Sequence, residues 1–264
     1  MTAVVFHAND GKPAVTRMLE RLADRARAYG LRVAKPDGAA DAVIALGGDG
    51  TILRAVHRFP DMPVLGLNFG GLGYLASVER RDFARALELL AAGRYTISRR
   101  RMLSVNGGHD ALNDIVIMRN QSGHAASIDV KADGRLVTRY MADGVIFATP
   151  TGSTAYSLAA GGPVLMPDTA GLVVTPMNPH ALGVRPLVVK DSVRFTVTAC
   201  ARTAGNQIKV GVYADGENVQ DLDGGSSVEI ARSAKTARLI ELEGYDPYGV
   251  LARKLGWSGS NVRR

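Results

Sequence analysis

Short, unbroken apolar runs alternate in the first third of the chain with longer stretches whose apolar residues recur at helical spacing. Thr2 to Phe6 reads as a strand and Ala14 to Tyr29 as an amphipathic helix. Asp41-Ala42-Val43-Ile44-Ala45-Leu46 is a second apolar run, and Ile52, Leu53, Ala55, Val56 and Phe59 mark one face of a helix over Thr51 to Phe59. Val64 to Leu67 reads as a strand and Arg81 to Ala92 as a helix. Apolar strands without alternation, each followed by a helix, predict a doubly wound parallel sheet covered on both faces. From about Arg99 the pattern changes to strands in close succession: Met102 to Val105, Ala111 to Met118, Ser127 to Lys131, Leu136 to Tyr140 and Val145 to Ala148. Asp133-Gly134 is a hairpin signal between two of them. Further strands are expected at Leu187 to Val189, Val193 to Ala199, Ile208 to Tyr213, Val228 to Ile230 and Ala237 to Leu242. A boundary is therefore expected near Arg99, between an α/β part and a β-rich part.

Two strand ends carry candidate chemistry. The run from Asp143 to Leu165 contains Val145-Ile146-Phe147-Ala148, then Thr149-Pro150-Thr151-Gly152-Ser153-Thr154-Ala155-Tyr156, then Gly161-Gly162-Pro163. It reads as strand, polar turn and short helix. Such a junction gathers hydroxyls, backbone N–H groups and a helix N-terminus that hold phosphates and sugar oxygens; plain capping by Ser and Thr is the alternative. The second is Gly47-Gly48-Asp49-Gly50-Thr51, straight after the Asp41 to Leu46 strand. Its glycines let backbone approach a ligand closely, at the carboxyl end of a strand where open α/β sheets bind ligands. A carboxylate repels a bare phosphate. Asp49 therefore fits a group that accepts a proton from a substrate hydroxyl or helps hold a metal ion, with a helix cap as the alternative.

Other positions are less specific. Gly71-Leu72-Gly73-Tyr74-Leu75-Ala76 matches G-x-G-x-x-A after a strand, yet no acidic residue follows at ~20 positions as a dinucleotide fingerprint requires. Asn68 and Tyr74 offer a hydrogen bond and a stacking face, or else a turn residue and a core aromatic. Asn113-Asp114 interrupts an apolar strand. Adjacent strand residues face opposite ways, so at least one faces the core or a cleft. The pair suits two neighbouring hydroxyls such as a ribose diol, or else a bulge or strand end.

Composition narrows the classes. The chain has 264 residues, 46% of them apolar, enough for two modest domains. No apolar run approaches the ~18 residues of a membrane span, and no secretory signal is expected. Cys200 is the only cysteine, so no disulfide forms within the chain and a cytoplasmic location is expected. The net charge of +7, from 32 basic and 25 acidic residues, permits anionic ligands such as nucleotides. Arg99-Arg100-Arg101 and Arg263-Arg264 are the basic clusters, without interleaved aromatics, so nucleic acid is not expected. There is no P-loop and no G-x-S-x-G elbow. His7, His57, His109, His124 and His180 lack metal-ligand spacing.

Taken together, Gly47-Gly48-Asp49-Gly50-Thr51, Asn113-Asp114, the Asp143 to Pro163 run, the glycine-rich Gly66 to Leu75, Pro179-His180 with Arg185-Pro186-Leu187, Asp215-Gly216 and Leu251 to Trp257 resemble the NAD kinase family. Departures at Ala160, Ala181-Leu182-Gly183, Glu217 and Met141-Ala142 spare Asp49. The resemblance implies an α/β architecture: a doubly wound N-terminal domain over residues 1–98, a larger β-rich, β-sandwich-like domain over 99–236, and a segment 237–264 returning to the first. It implies transfer of a phosphoryl group from ATP, with Mg²⁺, to the adenosine-ribose 2′-hydroxyl of NAD, giving NADP. Asp49 would be the catalytic base. Gly48 and Gly50 would let phosphates approach; Asn113, Asp114 and Asp143 would hold the ribose or nicotinamide side; Thr154, Ala155 and Tyr156 would line the dinucleotide pocket. Thr51, Arg54, Asn68, Tyr74, Thr151, Ser153, Ala159 and Asp215 complete the expected nucleotide-binding set. No protein metal ligand is expected. The partners would be NAD and ATP, without nucleic acid or membrane, in a homodimer or homotetramer whose sites are completed across subunits. Two alternatives remain at this stage, a lipid or sugar kinase sharing the glycine turn and a non-catalytic NAD(P)-binding sensor. Asn113-Asp114 weighs against the first and Asp49 against the second.

Overall fold

The computed structural model describes residues 2–8, 13–35, 37–68, 73–76, 78–120, 125–200 and 209–257. Phe69, Gly70, Gly71, Leu72, His124, Ile208, Arg263 and Arg264, which figure in the readings above, lie outside the described residues. The chain divides into two units, one of residues up to 99 together with those from 237 onward, the other of residues 100–236.

The first unit begins with β1 (Ala3–Ala8), α1 (Pro13–Ala28), β2 (Arg32–Val33), β3 (Ala42–Leu46), α2 (Asp49–Arg58), β4 (Val64–Asn68), β5 (Val78–Glu79) and α3 (Phe83–Ala91). β1 pairs in parallel with β2 and β3, β3 with β4, and β4 with β5. Every residue of β3 is buried, as its continuous apolar run requires in a sheet covered on both sides. Leu22 and Ala26 of α1 and Phe83, Leu87 and Leu90 of α3 share one core with Val4, Ile44 and Leu65. α2 buries Thr51, Ile52, Ala55 and Val56.

The strands that follow are β6 (Tyr95–Val105), β7 (His109–Ala111), β8 (Asp114–Arg119), β9 (Ala126–Ala132), β10 (Arg135–Ala142) and β11 (Gly144–Ala148). A single helical turn, α4 (Tyr156–Ala159), precedes β12 (Gly171–Met177), β13 (Leu187–Lys190), β14 (Phe195–Ala199), β15 (Val210–Ala214), β16 (Glu217–Leu222) and β17 (Ser227–Leu242), and α5 (Pro247–Leu255) comes last. In the second unit one antiparallel sheet has the order β13-β12-β11-β8-β15-β16. Another runs β10-β9-β14 and on to the first residues of β17. Ile115, Ile117, Val145 and Phe147 of one sheet and Ile128, Val130, Phe195 and Val197 of the other form a single core. That is a β-sandwich, with the Phe147 and Phe195 rings 5.0 Å apart at 56° between the two faces. The last part of β17 belongs to the first unit: Leu239 pairs in parallel with Val64, and Ile240 joins the α1 and α3 core.

The Asp133-Gly134 hairpin forms as its sequence predicts, with both residues at positive φ, 47° and 79°. Other expectations change. Ala111 to Met118 is two strands, because the chain bends at Leu112-Asn113 and β8 starts at Asp114. Val228 to Ile230 and Ala237 to Leu242 are parts of the one strand β17, whose polar middle is largely exposed. β12 adds to the expected strands and contains Pro176, a residue that a central strand ordinarily disfavours. It is tolerated because β13 pairs only with Gly171 to Val174 and stops short of the proline. Among the described residues no helix is long and apolar enough to cross a membrane.

Phe147 is fully buried, so Phe147→Ala should lower stability by about 3–5 kcal/mol. A fall in the urea midpoint with little change in slope would show it.

Candidate active site

In the first unit, the candidate residues collect at the carboxyl end of β3. Gly47 ends the strand by donating its N–H to Leu67 O of β4 at 2.9 Å. A Cβ on Gly47 would lie 2.4 Å from Thr51 Oγ1, so only glycine lets α2 begin this close to the strand. Gly48 is the extended residue before α2, and its carbonyl accepts the N–H groups of Thr51 and Ile52 at 2.9 and 3.3 Å. Gly50 follows, exposed. Asp49 is then the first residue of α2, where the helix dipole favours a negative charge.

The Asp49 carboxylate reaches to another segment. Its Oδ2 accepts the Tyr74 N–H at 2.7 Å and its Oδ1 the Leu75 N–H at 3.0 Å. Charge-assisted bonds of this kind fix orientation as well as adding energy. They depend on glycine twice more. A Cβ on Gly73 would sit 2.4 Å from Asp49 Oδ1, and one on Gly66 of β4 would sit 3.0 Å from Ala76 Cα and 3.1 Å from Leu75 O. The helix-cap alternative for Asp49 therefore gives way to a longer-range contact. Burial raises the Tyr74 phenol pKa and the Asp49 charge adds to the rise. Arg54 Nη2 donates to Thr51 Oγ1 at 3.4 Å, and Asn68 closes β4, paired with Glu79 of β5.

In the second unit, the corner at Leu112-Asn113-Asp114 is shaped by Asp215. Asp215 and Gly216 form the β15–β16 turn, both at positive φ, 48° and 86°. Asp215 Oδ2 accepts the Leu112 N–H at 2.7 Å, and Oδ1 accepts those of Asn113 and Asp114 at 2.7 and 3.3 Å. The Asp215 N–H in turn donates to Asp114 O at 3.0 Å. Asp114 is 5% exposed. Burial first, and the Asp215 carboxylate second, push its pKa up to about 7. Asn113-Asp114 is thus a strand start with a buried acid, not a bulge.

The loop after β11 locks onto this corner. The Thr149 N–H donates to Asn113 O at 2.9 Å, and Thr149 Oγ1 donates to Leu112 O at 2.6 Å while accepting the Gly152 N–H at 3.0 Å. A Cβ on Gly152 would fall 1.9 Å from Asn113 O. Ser153 is fully buried; its hydroxyl donates to Pro150 O at 2.7 Å and accepts the Leu165 N–H at 2.8 Å. Thr154 Oγ1 donates to Thr151 O at 3.1 Å, and Thr151 itself is buried. These hydroxyls hold the loop together, so for Ser153 and Thr154 the local hydrogen-bonding alternative describes the geometry. The expected helix N-terminus shrinks to the single turn of α4, too short to sum a strong dipole. Tyr156 and Ala159 face outward, Tyr156 with 44% exposure, and Ala155 is half-buried.

The structure does not bring Asp143 to this cluster within the chain. It precedes β11 while Thr149 follows it, and five strand residues separate the two ends by roughly 17 Å. There Asp143 Oδ1 lies 2.8 Å from Arg119 Nε, and Oδ2 accepts from Asn178 Nδ2 at 2.9 Å.

Two family models match this chain: the ATP-NAD kinase N-terminal domain over residues 6–95 and the ATP-NAD kinase C-terminal domain over residues 112–242. The chain belongs to the NAD kinase family. An NAD kinase of Symbiobacterium thermophilum is 39% identical, covering 94% of this chain and 96% of that protein. One of Gemmatimonas aurantiaca is 35% identical over 100% of this chain and 94% of its own. Among solved structures, yeast NADH kinase complexed with NADH superposes with a TM-score of 0.86 at 25% identity, covering 98% of this chain and 89% of that one. An NAD kinase from Archaeoglobus fulgidus in complex with ATP gives a TM-score of 0.79 at 26% identity, covering 97% and 99%.

Sequence reasoning passed over several residues that shape this NAD kinase site. Thr149 and Gly73 lie inside the family motifs, but their roles are backbone contacts that become visible only once Asn113 O and Asp49 Oδ1 are placed. Arg119 and Asn178 carry no sequence signal; the pairing of β8, β11 and β12 alone puts them beside Asp143.

Asp114 gives a pH signature. Its folded pKa lies above the unfolded value of about 4. Its contribution to stability is therefore full below about pH 4, is lost as pH rises to about 7, and is constant beyond. Asp114→Asn lacks this titration. Relative to wild type, the variant should gain stability between pH 4 and pH 7 and then level off, as read by urea unfolding across that range.

Proposed function

We propose that this NAD kinase transfers the γ-phosphoryl group of ATP to the 2′-hydroxyl of the adenosine ribose of NAD, giving NADP and ADP. The observation that carries the reading is the Asp49 carboxylate, fixed by the Tyr74 and Leu75 amides at the end of a buried parallel strand. The 2′-oxygen attacks the γ-phosphorus, the bond from that phosphorus to the bridging oxygen breaks, and the electrons leave on ADP. Asp49 takes the hydroxyl proton and passes it to solvent. A carboxylate already oriented by two donors has little reorganisation left to make when the hydroxyl arrives.

Mg²⁺ enters this proposal as the counterion of ATP, where it neutralises charge on the β- and γ-phosphate oxygens. Asn113 and Asp114 would take hydroxyls of the dinucleotide, and the exposed Tyr156 would line its pocket. A homodimer or homotetramer belongs to the same reading. Asp143, held by Arg119 and Asn178 at the far end of β11, would then serve a neighbouring subunit's ligand. A cytoplasmic setting is part of it as well, in keeping with the free thiol of Cys200.

NADP formation from NAD with ATP and Mg²⁺ tests the reading, with Asp49→Asn beside wild type. The substitution should lower kcat by ~10²–10⁴-fold, the usual contribution of a positioned base, with NAD binding retained in calorimetry. Undiminished turnover would remove Asp49 from the chemistry, and NAD binding without transfer by wild type would favour a sensor.

A further inference from the structure

We propose that Lys254 of α5 is a catalytic residue whose ammonium group contacts the phosphoryl group as it is transferred beside Asp49. This rests on the phosphotransferase reading above and adds to it a cation from a distant part of the chain.

The placement comes from how α5 is built. Asp246 caps its start by accepting the Tyr248 N–H at 3.1 Å, with Pro247 as the first helical residue. Gly256 ends it in the left-handed region at φ 65°, and the Trp257 N–H donates to Ala252 O at 2.8 Å. That closure pins the last turn, on which Lys254 stands. The Lys254 Nζ lies 6.0 Å from the centroid of the Tyr74 ring. Tyr74 is the residue whose backbone N–H holds Asp49 Oδ2 at 2.7 Å. One residue therefore carries the base on its amide and a cation on its ring.

The electrostatics are costly for a merely structural contact. Burial pulls the Lys254 pKa down, the neighbouring Arg253 adds to the fall, and Asp49 and Glu79 oppose it. The contact with the half-buried Tyr74 ring offsets only part of that cost. A positive charge beside a general base also disfavours proton uptake by that base, so assisting Asp49 does not explain it. Its use is found when an anion arrives at the same place. Phosphoryl transfer relies on fixed positive charge around the equatorial oxygens. A lysine supplies such a point charge on a flexible stem, and the capped helix turn fixes where that stem starts. In the transfer step Lys254 stays protonated throughout: the bond from the 2′-oxygen to phosphorus forms, the bond to ADP breaks, and the proton goes to Asp49.

The test uses the full chain with Lys254→Met and Lys254→Arg. Steady-state kinetics with NAD and ATP–Mg²⁺ would be run beside thermal melting, NAD calorimetry and binding of inorganic tripolyphosphate as a phosphate probe. The expected result for Lys254→Met is a kcat lower by about 10²–10³-fold, the usual effect of losing one charge-stabilising donor. Tripolyphosphate binding should weaken, while the KM for NAD and the melting temperature stay unchanged. Lys254→Arg, which keeps the charge, should recover most of the loss. A wild-type kcat in Lys254→Met would overturn the proposal. So would a loss that tracks a lower melting temperature and is not recovered by arginine, for that marks a packing role. If wild type forms no NADP, the kinase reading fails separately. Unchanged tripolyphosphate binding in Lys254→Met would then count against the cation on its own.

Discussion

In each unit the candidate residues depend on a carboxylate that accepts backbone N–H groups from a different segment. Asp49 takes the amides of Tyr74 and Leu75; Asp215 takes those of Leu112, Asn113 and Asp114. Each bond ties a loop to the end of a strand with an ionic acceptor, which is about twice as strong as a neutral one. Backbone can come that near only where side chains are absent, hence Gly47, Gly66 and Gly73 in one unit and Gly152 in the other. The glycines that look like a flexible sequence are the means of a fixed geometry.

Asp49 and Asp114 differ in what surrounds them. Asp49 is half-buried with two donors and a lysine in the neighbourhood. Asp114 is buried next to a second acid whose acceptors are already engaged by three amides, so its own charge is disfavoured and its protonation falls near neutrality. Two acids in one chain thereby sit in different surroundings, Asp49 half-buried on two amides and Asp114 buried and able to give or take a hydrogen bond as pH changes.

Much of this was legible in the residues. Continuous apolar runs gave the buried parallel strands, and Gly47-Gly48-Asp49-Gly50 marked the turn after β3 because glycine at a strand end is chemically specific. The Asp133-Gly134 hairpin was legible for the same reason. β12 was hidden by Pro176, whose cost depends on where the neighbouring strand stops, and β16 by its polar, edge-strand composition. The hydroxyls of Ser153 and Thr154 were visible, but whether they faced a ligand or their own loop depended on Leu165 and Thr151. Lys254 was legible only as part of a motif, because its proximity to Tyr74 is set by packing across most of the chain.

The path of the chain has a consequence for how the protein is made. The α/β unit begins at the N-terminus, yet β17 supplies a strand residue opposite Val64, and Arg94 is bonded to Glu243 across 149 residues of sequence. On a ribosome, where the N-terminal part emerges first, β5 covers only Leu67 and Asn68 of β4, and the Val64 end of that flank stays open until the whole β-sandwich has been synthesised. The sandwich, by contrast, has all its strands in one continuous stretch. The later-made unit is thus free to mature before the earlier-made one, and during that interval the open flank of β4 is exposed to any chaperone or neighbouring chain able to pair with it.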